Sequence, residues 1–368
     1  MKISLIYPSR PGKMVGNIDR HSVQAHVTDL ASALTGMGHD VTVNTIDDDP
    51  IHGVGRIAHE LDLRWSLDKP DLVHAHLWTA GLAALATVHQ SGIVHDMPIM
   101  QTFHALNSMR LSSAARIRMW QRLEAAVARS VDHIVASCQR ERTELISIGA
   151  DSTKITVIPH GVNTEMFSPT GPEVVPAGGR RLVAVGPISP ESGFTTAISA
   201  LTYLPDAELV IAAGAPSGAG DSWSLANDHE AKRLSTVAHK LQVDKRVNLI
   251  ELRRDELPRL FRSAEIVVCM PWHDMPGTTA IEAMASGRPV VVAGVGELLD
   301  VVIEGTTGVF VPPQDPVALA HALRDLLDDP IRLEGFGLAA LERVDVRHTW
   351  KVVAQQLSDL YDHALTPQ

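Results

Sequence analysis

The stretch that decides the fold runs from Ile266 to Gly294 and reads IVVCMPWHDMPGTTAIEAMASGRPVVVAG. It begins and ends with short β-branched runs, IVVCM and PVVVAG, which are typical of strands buried on both faces. Between them, TTAIEAMAS has helical spacing, and Gly287 stands where a helix end favours a residue that can adopt positive φ. The stretch therefore predicts a strand–helix–strand unit of a parallel sheet.

The loop and the first turn of this helix carry polar groups that suit a ligand with phosphates and hydroxyls. Gly277 precedes the helix, and Thr278 and Thr279 open it. We expect free backbone amides and the positive end of the helix dipole to favour an anion there. Glu282 lies one turn into the helix, eight positions after Asp274. Its carboxylate is better placed to accept hydrogen bonds from hydroxyls, such as those of a ribose, than to bind the phosphate.

These residues resemble the donor-site motif of the retaining family-4 glycosyltransferases. That motif is an acidic residue, seven other residues, and then Glu-Ala-Met-Ala, one residue, Gly and Pro-Val-Val. Asp274 stands where the family has its first Glu, and the rest of the pattern is matched by Glu282, Ala283, Met284, Ala285, Gly287, Pro289, Val290 and Val291. An ordinary Rossmann-like turn with a capped helix would explain the Gly and Thr residues but not two acids at this spacing.

Length and composition limit the class of protein. A chain of 368 residues is long for one hydrophobic core, and 45% hydrophobic with 20% charged residues is ordinary for a globular protein. The formal net charge of -11 leaves no basic excess for binding nucleic acid. Cys138 and Cys269 lie in apolar runs without zinc-site spacing, which indicates buried thiols in a reducing compartment. Because no run resembles a signal peptide or a membrane span, we expect a cytoplasmic protein.

The order of the predicted elements indicates two α/β halves. Buried runs such as KISLIYP and DVTVNTI in the first half are followed by RLVAVGPI, AELVIAAG and GVFVPP in the second, with helices between them. The Pro- and Gly-rich segment TGPEVVPAGG is typical of a linker. The resemblance implies two Rossmann-like domains facing each other across a cleft, the GT-B arrangement. We expect an acceptor domain in 1–170, a nucleotide-sugar donor domain in 171–348, and a last helix in 349–366 that crosses back to the first domain.

Two strands that carry histidines supply candidate acceptor residues. DLVHAHLW places His74 and His76 on one face, and PIMQTFHAL ends near Thr102 and His104. We expect His74 to be a structural core histidine. His76 and His104 lie near the carboxyl ends of parallel strands, where open α/β sheets bind ligands, so we expect His104 at the edge of the cleft. The family has an Asp-x-Val-His-x-His strand and a Thr-x-His loop on its acceptor side, which implies that His104 lies beside the reacting sugar.

The first loop departs from the family pattern. The family has a Gly-Gly pair that opens the first helix and approaches the donor phosphates. Its position here falls on His21 and Ser22, with Gly16 and Asn17 as an alternative if the loop is arranged differently. We therefore take Asn17, Arg20 and His21 as candidates for binding the acceptor.

The two cations that the family uses on the diphosphate are also replaced. The family has an Arg after the Gly of the first strand of the second domain, but here Pro187 follows Gly186. It has a Lys before the next Gly, but here Ser192 precedes Gly193. Losing two charged hydrogen-bond donors would cost about 3–6 kcal/mol, or roughly two to four decades in affinity or rate. Candidate replacement cations are Arg10, Lys13, Arg20, Arg253 and Arg254, for each of which a surface role is the simpler interpretation.

A helix in the first half, SSAARIRMWQRLEAAVARS, carries Arg116, Arg118, Arg122 and Arg129. Its basic face is compatible with a phosphorylated acceptor or with peripheral contact to an anionic membrane. The favoured interpretation is a solvated helix face on which Glu124 is interspersed.

Two hypotheses follow for the function. In the first, the protein is a retaining, metal-independent glycosyltransferase that moves a sugar from a nucleotide diphosphate donor to a small acceptor, without a cofactor. His104 and Asp274 would serve the reaction, His76 and Thr102 would contact the acceptor, and the donor would be bound by Gly186, Ser192, Gly193, Gly277, Thr278, Thr279 and Glu282. In the second, the scaffold is a catalytically inactive pseudo-glycosyltransferase that acts as a binding or regulatory partner. The two acids and the His loop favour the first hypothesis, whereas the missing cations favour the second.

Overall fold

The computed structural model describes residues 1–8, 20–46, 53–90, 97–104, 106, 115–174, 180–214 and 223–366, without the side chains of 20–22, 90 and 115–118. The chain divides into two compact units, Met1–Gly161 with Trp350–Gln368 and Val162–Thr349. The division comes before the expected boundary at 170/171 because Val162 and Phe167 are buried in a hydrophobic core of the second unit.

The first unit is built on a parallel six-stranded sheet with the order β2-β1-β3-β4-β5-β6. Its strands are β1 (Lys2–Pro8), β2 (Asp40–Ile46), β3 (Leu72–His76), β4 (Ile99–Thr102), β5 (His133–Ala136) and β6 (Ile155–Val157). Its helices are α1 (Arg20–Gly36), α2 (Val54–Leu67), α3 (Trp78–Gln90), α4 (Ala115–Ser130), α5 (Gln139–Ser147) and, from the end of the chain, α13 (Trp350–Leu365).

The last helix belongs to the first unit, as the sequence predicted. In α13, Trp350, Leu357 and Tyr361 are buried in one hydrophobic cluster with Leu5 of β1 and Val27 of α1. A second cluster covers another part of this unit, around Trp78, Phe103 and Ile134. The sheet therefore has an apolar core on each side, which explains why its strands are continuous apolar runs.

The second unit contains another parallel six-stranded sheet, with the order β12-β11-β10-β7-β8-β9. Its strands are β7 (Arg180–Pro187), β8 (Ala207–Gly214), β9 (Val247–Ile250), β10 (Ile266–Cys269), β11 (Val290–Ala293) and β12 (Gly308–Val311). Its helices are α6 (Phe194–Ala200), α7 (His229–Lys240), α8 (Leu257–Ser263), α9 (Thr278–Ala285), α10 (Leu298–Val301), α11 (Pro316–Leu327) and α12 (Pro330–Arg347).

The stretch from Ile266 to Gly294 folds as predicted into β10, α9 and β11. Helix α9 begins at Thr278, and Gly287 beyond its end adopts φ +73°. Every residue of α9 from Ala280 to Ala285 is buried, so this short helix is held by packing on all sides rather than by its own length. The packing fixes its N-terminal turn in place at the edge of the sheet.

Each sheet has a switch point where consecutive strands run to opposite sides. In the first unit β1 lies between β2 and β3, and in the second β7 lies between β8 and β10. Open parallel sheets bind ligands outside the carboxyl ends of the strands at such points. Within the described part of the chain, no helix is both long and apolar enough to span a membrane.

Candidate functional site

In the second unit, the carboxylates of Asp274 and Glu297 tie together the loops that follow β10 and β11. The backbone N–H of Gly277 donates to Glu297 Oε2 at 2.9 Å, and the backbone N–H of Glu297 donates to Asp274 Oδ1 at 3.0 Å. Glu297 is buried. The expectation that the Gly277 amide is open to a phosphate is therefore wrong, because a carboxylate of the chain already occupies this amide at the positive end of α9.

The amides that follow Gly277 precede the hydrogen-bond ladder of α9. The first ladder bond described runs from the N–H of Ile281 to the carbonyl oxygen of Gly277 at 3.1 Å. The N–H groups of Thr278, Thr279 and Ala280 have no carbonyl acceptor within the helix, as is general for a first turn. A ligand group at this helix end would meet these amides, and it would also meet the Glu297 carboxylate.

Glu282 forms an ion pair that the sequence did not predict. Its Oε1 lies 2.7 Å from Nη2 of Arg254, whose guanidinium stands 5.4 Å from the centroid of the Phe167 ring. The Glu282 side chain is 7% exposed and the Arg254 side chain 42%. Arg254, considered above as a replacement cation, thus lies directly at a proposed donor-binding carboxylate and has one side open to solvent.

The Glu282 carboxylate also acts on the thiol at the end of β10. Burial, and then the nearby charge of Glu282, raise the pKa of Cys269 to about 12. This thiol stays protonated at neutral pH, so it is excluded as a nucleophile. The Sγ of Cys138 accepts the backbone N–H of Glu141 at the start of α5. Neither cysteine forms a disulfide, in agreement with the prediction of thiols.

A pocket lies between the ends of β7 and β10 where the family would place its cations. Gly186, Pro187, Ser192, Phe194, Cys269 and Met275 are among its lining residues. The Ser192 hydroxyl donates to the carbonyl oxygen of Pro187 at 2.6 Å. The pocket is therefore mainly apolar and uncharged along this wall.

Gly193, a candidate for donor binding, is required by the fold. It adopts φ +74°, and a Cβ built on it would lie 1.7 Å from the backbone oxygen of Met270. No side chain fits at that distance, so the glycine holds its turn against the end of β10. Gly186 has more room, since the nearest side-chain atom to a Cβ there is 3.6 Å away.

In the first unit, His74 is a structural histidine, as expected. Its Nδ1 is hydrogen-bonded to the hydroxyl of Tyr361 at 2.6 Å and its Nε2 to the hydroxyl of Thr102 at 2.8 Å. All three side chains are buried. The Thr102 hydroxyl, predicted to contact the acceptor, is therefore engaged in fixing the His74 ring.

His76 and His104 lie together and are both buried. Nδ1 of His76 is 3.0 Å from Nε2 of His104, and Nδ1 of His104 is 3.4 Å from Nε2 of His160. All three are buried, with His104 6% exposed. His104 also adopts φ +63°, a conformation that costs about 1–3 kcal/mol for a non-glycine residue and is often found at functional sites. The rings of His26, His76 and His160 surround the ring of His104, and its place at the edge of the cleft stays a prediction.

Several predicted residues lie outside what the structure describes. Asn17, Gly16, Arg10 and Lys13 are among the residues not described, and for Arg20, His21 and Ser22 only the helical backbone of α1 is described. On α4, the side chains of Arg116 and Arg118 are likewise not described. Glu124 of α4 is buried, so it does not belong to a solvated face as predicted.

Three residues that shape these sites, Glu297, His26 and His160, are not predicted from the sequence. Glu297 lies after β11, just before α10, and no local motif indicates it. His26 comes from α1 and His160 from the segment after β6, and each reaches the His76–His104 pair only through the sheet topology. The order of the strands could have indicated a shared edge, but the sequence shows no spacing that would link these rings.

Two doubly wound parallel sheets define a Rossmann-type fold, a class in which ligands bind at the carboxyl ends of the strands. A model of group 1 glycosyl transferases matches residues 172–343, and a model of glycosyltransferase family 4 matches residues 23–166. The chain therefore belongs to the group 1, family-4 glycosyltransferases, as its motif predicted.

Relatives with described activities agree with this membership. The chain is 30% identical to the glycogen synthase of Mycobacterium tuberculosis, over 98% of this chain and 94% of that protein. It is 31% identical to the D-inositol 3-phosphate glycosyltransferase of Corynebacterium glutamicum, over 80% of this chain and 72% of that protein.

Solved structures share the fold. Sucrose-phosphate synthase from Thermosynechococcus elongatus superimposes with a TM-score of 0.82 at 22% identity, covering 98% of each chain. Anabaena HepE in complex with UDP and glucose superimposes with a TM-score of 0.76 at 18% identity, covering 98% of this chain and 99% of that one. These likenesses confirm the predicted fold class of two Rossmann-like domains.

Proposed function

We propose that the protein transfers a sugar from a nucleotide diphosphate donor to a hydroxyl-rich acceptor, with retention of the anomeric configuration and without a metal. The observation that carries the proposal is the Glu282–Arg254 pair at the switch point of the second unit. A buried carboxylate paired with a cation is a strong acceptor for the hydroxyls of a ribose. The Arg254 side chain is partly open to solvent. We assign it to the donor phosphates, as a replacement for the two cations that the family has at the positions of Pro187 and Ser192.

The leaving diphosphate needs donors that are already in place when its charge develops. The first-turn amides of Thr278 and Thr279 and the guanidinium of Arg254 are such donors, since α9 is fixed by packing. The bond from the anomeric carbon to the diphosphate breaks, and the acceptor oxygen bonds to the same face of that carbon. The acceptor proton leaves with the diphosphate oxygen, so the step is balanced without a metal. Asp274 and Glu297 would accept hydrogen bonds from sugar hydroxyls.

The acceptor is assigned by its chemistry. The relatives named above act, by their names, in glycogen synthesis and on D-inositol 3-phosphate, and both acceptors carry many hydroxyls. We propose that the imidazoles of His76 and His104 are the polar groups of this chain that serve the acceptor. A small polyhydroxylated molecule or a sugar chain end is therefore the class of acceptor to test.

The test is donor binding by the parent chain and by Glu282→Ala. Losing a hydrogen bond to a charged group costs about 1.5–3 kcal/mol, so nucleoside diphosphate affinity should fall by roughly one to two decades. Titration calorimetry measures this loss, and Glu342→Ala, which removes an exposed carboxylate of α12, should leave the affinity unchanged. Equal binding by the parent and Glu282→Ala would contradict the assignment.

Transfer itself is tested with the nucleotide sugars that bind. Proton NMR of the product gives its anomeric configuration, and the same reaction run with a chelator tests independence from a metal. The alternative function, an inactive scaffold, is favoured by the uncharged pocket wall at Pro187 and Ser192. Binding of nucleotide sugars without transfer to any acceptor and without hydrolysis would support that alternative.

A further inference from the structure

Three imidazoles in the first unit surround one point at its switch point. They belong to His26 on α1, His76 at the end of β3 and His104 two residues after β4. One nitrogen from each lies within 4.8 Å of the others. The His26 ring meets the His76 and His104 rings edge-on, with centroid distances of 5.5 and 4.7 Å. We propose that these three histidines bind one divalent transition-metal ion, with zinc as the first candidate.

The spacing suits a tetrahedral ion. Two imidazole nitrogens bound to zinc at about 2.0–2.1 Å stand about 3.3 Å apart in tetrahedral geometry. Nδ1 of His76 and Nε2 of His104 are 3.0 Å apart, so binding an ion between them requires these nitrogens to separate by about 0.3 Å and the two rings to tilt until both lone pairs point at the ion. Three protein ligands leave the fourth position for water or another small ligand, as in zinc sites that bind a substrate.

The donor set selects the class of metal. Three neutral imidazoles without a carboxylate suit zinc, copper or nickel, whereas magnesium and calcium prefer oxygen ligands. Metals bind the neutral form of imidazole, and the burial of His76 and His104 favours that form.

The neighbouring histidines are compatible with binding through Nε2 of His104. Nδ1 of His104 lies 3.4 Å from Nε2 of His160, and in the tautomer with the proton on Nδ1, His104 donates to His160 and Nε2 has a lone pair for the ion. His74 stacks on His76 with centroids 4.4 Å apart, but both its nitrogens are bonded to Tyr361 and Thr102. His74 therefore supports the site without being a ligand.

His76 has an open choice of tautomer. Its Nε2 is buried and has no hydrogen-bond partner among the residues that the structure describes. If the ring proton of His76 moves to Nε2, Nδ1 can bind the ion. This move breaks no hydrogen bond between Nε2 and the described protein. In the absence of metal, the proton shared between His76 and His104 holds the two nitrogens at a distance close to the one that the ion needs.

This site goes beyond the proposed transfer, which needs no metal. A metal would occupy the imidazoles that we propose to serve the acceptor, and so its presence would regulate or block acceptor binding. The binding test does not depend on sugar transfer or on nucleotide binding, so failure of one proposal is distinguishable from failure of the other.

The test is metal binding by the full chain, prepared without a polyhistidine tag and freed of metal by a chelator. Titration with Co²⁺ should produce the intense visible absorption of a tetrahedral site, and Zn²⁺ should displace the Co²⁺ and abolish it. After removal of free zinc, elemental analysis should give one zinc per chain. A parent chain that shows no tetrahedral Co²⁺ absorption, or retains no stoichiometric zinc, would overturn the proposal by itself.

The ligand set is tested with His26→Ala and His26→Gln, because His26 is partly exposed and its replacement leaves the buried pairs intact. Each variant should lose zinc affinity by at least about a hundredfold, since even residues behind the ligands contribute ten- to a hundredfold. His239→Ala removes a histidine whose side chain is 83% exposed and should bind zinc like the parent. Undiminished zinc binding by a folded His26 variant would show that other histidines hold the ion and would refute the site.

Discussion

The polar residues near the carboxyl ends of the strands make contacts with residues that are distant in the sequence. Glu282 pairs with Arg254, and Asp274 accepts from the backbone of Glu297. The motif around Glu282 indicated the two acids and their helix, because local spacing determines the helical face. The partners come from other loops, and only the folded sheet brings them close. The sequence therefore predicted the two acids and the helix that carries Glu282, but not the charged and polar groups that they meet, and their role in donor binding stays a prediction.

The charge of Glu282 contributes to the raised pKa of Cys269. The pKa of this thiol is raised from 9.0 to about 12 by burial and by Glu282. The folded state therefore binds the thiol proton more tightly than the unfolded state, so this group stabilises the fold below about pH 9 and loses that contribution as pH rises toward 12. We expect Cys269 to be alkylated far more slowly in the folded than in the unfolded chain at pH 9.

Glu282→Gln separates the effect of charge from that of burial. Removing the carboxylate charge lowers the pKa of Cys269, so the fraction of thiolate and the alkylation rate should rise. The measurement is the rate of iodoacetamide labelling in a Cys138→Ser background, where Ser keeps a capping oxygen at the start of α5. Asp325→Asn, which neutralises an exposed carboxylate of α11, is the control. An unchanged rate in Glu282→Gln would mean that its charge does not reach the thiol.

At the scale of elements, the strands were the most predictable part. Most strands of the two sheets are predicted from the sequence, because runs such as IVVCM and AELVIAAG must be buried on both faces. The contacts at the N-terminus of α9 were not predicted. Gly277 was expected to leave its amide open, but Glu297, just before α10, fills that place. Capping from a distant loop leaves no local signal, unlike a capping residue within the helix sequence.

Replacing Glu297 should separate stability from donor binding. Glu297→Ala leaves the Gly277 amide without its partner, which should lower the free energy of unfolding by about 1–3 kcal/mol. It also frees an amide and removes a negative charge at the positive end of α9, so a nucleoside diphosphate should bind at least as tightly as to the parent.

Glu297→Gln is the matched control, because its amide oxygen still accepts the Gly277 N–H. It should retain most of the stability while losing the charge. Thermal unfolding and titration calorimetry provide the two readouts. A Glu297→Ala variant that keeps the parent's stability but loses nucleotide binding would show that Glu297 serves the ligand directly instead of the helix end.

At the scale of the whole molecule, the repeated pattern of strands and helices was sufficient to predict two α/β domains. The boundary was less predictable. The Pro- and Gly-rich segment suggested a division after residue 170, yet Phe167 packs fully buried with Phe261 in the second unit. A linker is recognised by composition, whereas a domain boundary depends on which core buries the last apolar side chain. The tertiary structure decides which of the two cores buries that side chain, so the local sequence does not show it.

The charge of the whole chain bears on how it binds an anionic donor. Its formal net charge of -11 repels nucleoside diphosphates at long range, so affinity depends on local cations. Pro187→Arg places a cation at the carboxyl end of β7, whereas a cation at Ser192 would break its bond to the Pro187 carbonyl. A charged hydrogen bond worth about 1.5–3 kcal/mol would tighten nucleoside diphosphate binding by roughly one to two decades.

A matched variant separates this local contact from the change in net charge. Leu338→Arg adds the same charge at an exposed position of α12, away from the pocket between β7 and β10. Titration calorimetry at low and high salt should show a large gain only for Pro187→Arg, and the gain should shrink as salt rises because the new cation is partly screened. Equal gains in both variants would assign the effect to net charge alone. No gain in either would show that the diphosphate does not reach the end of β7, and Arg254→Ala would then test whether the cation beside Glu282 already binds it.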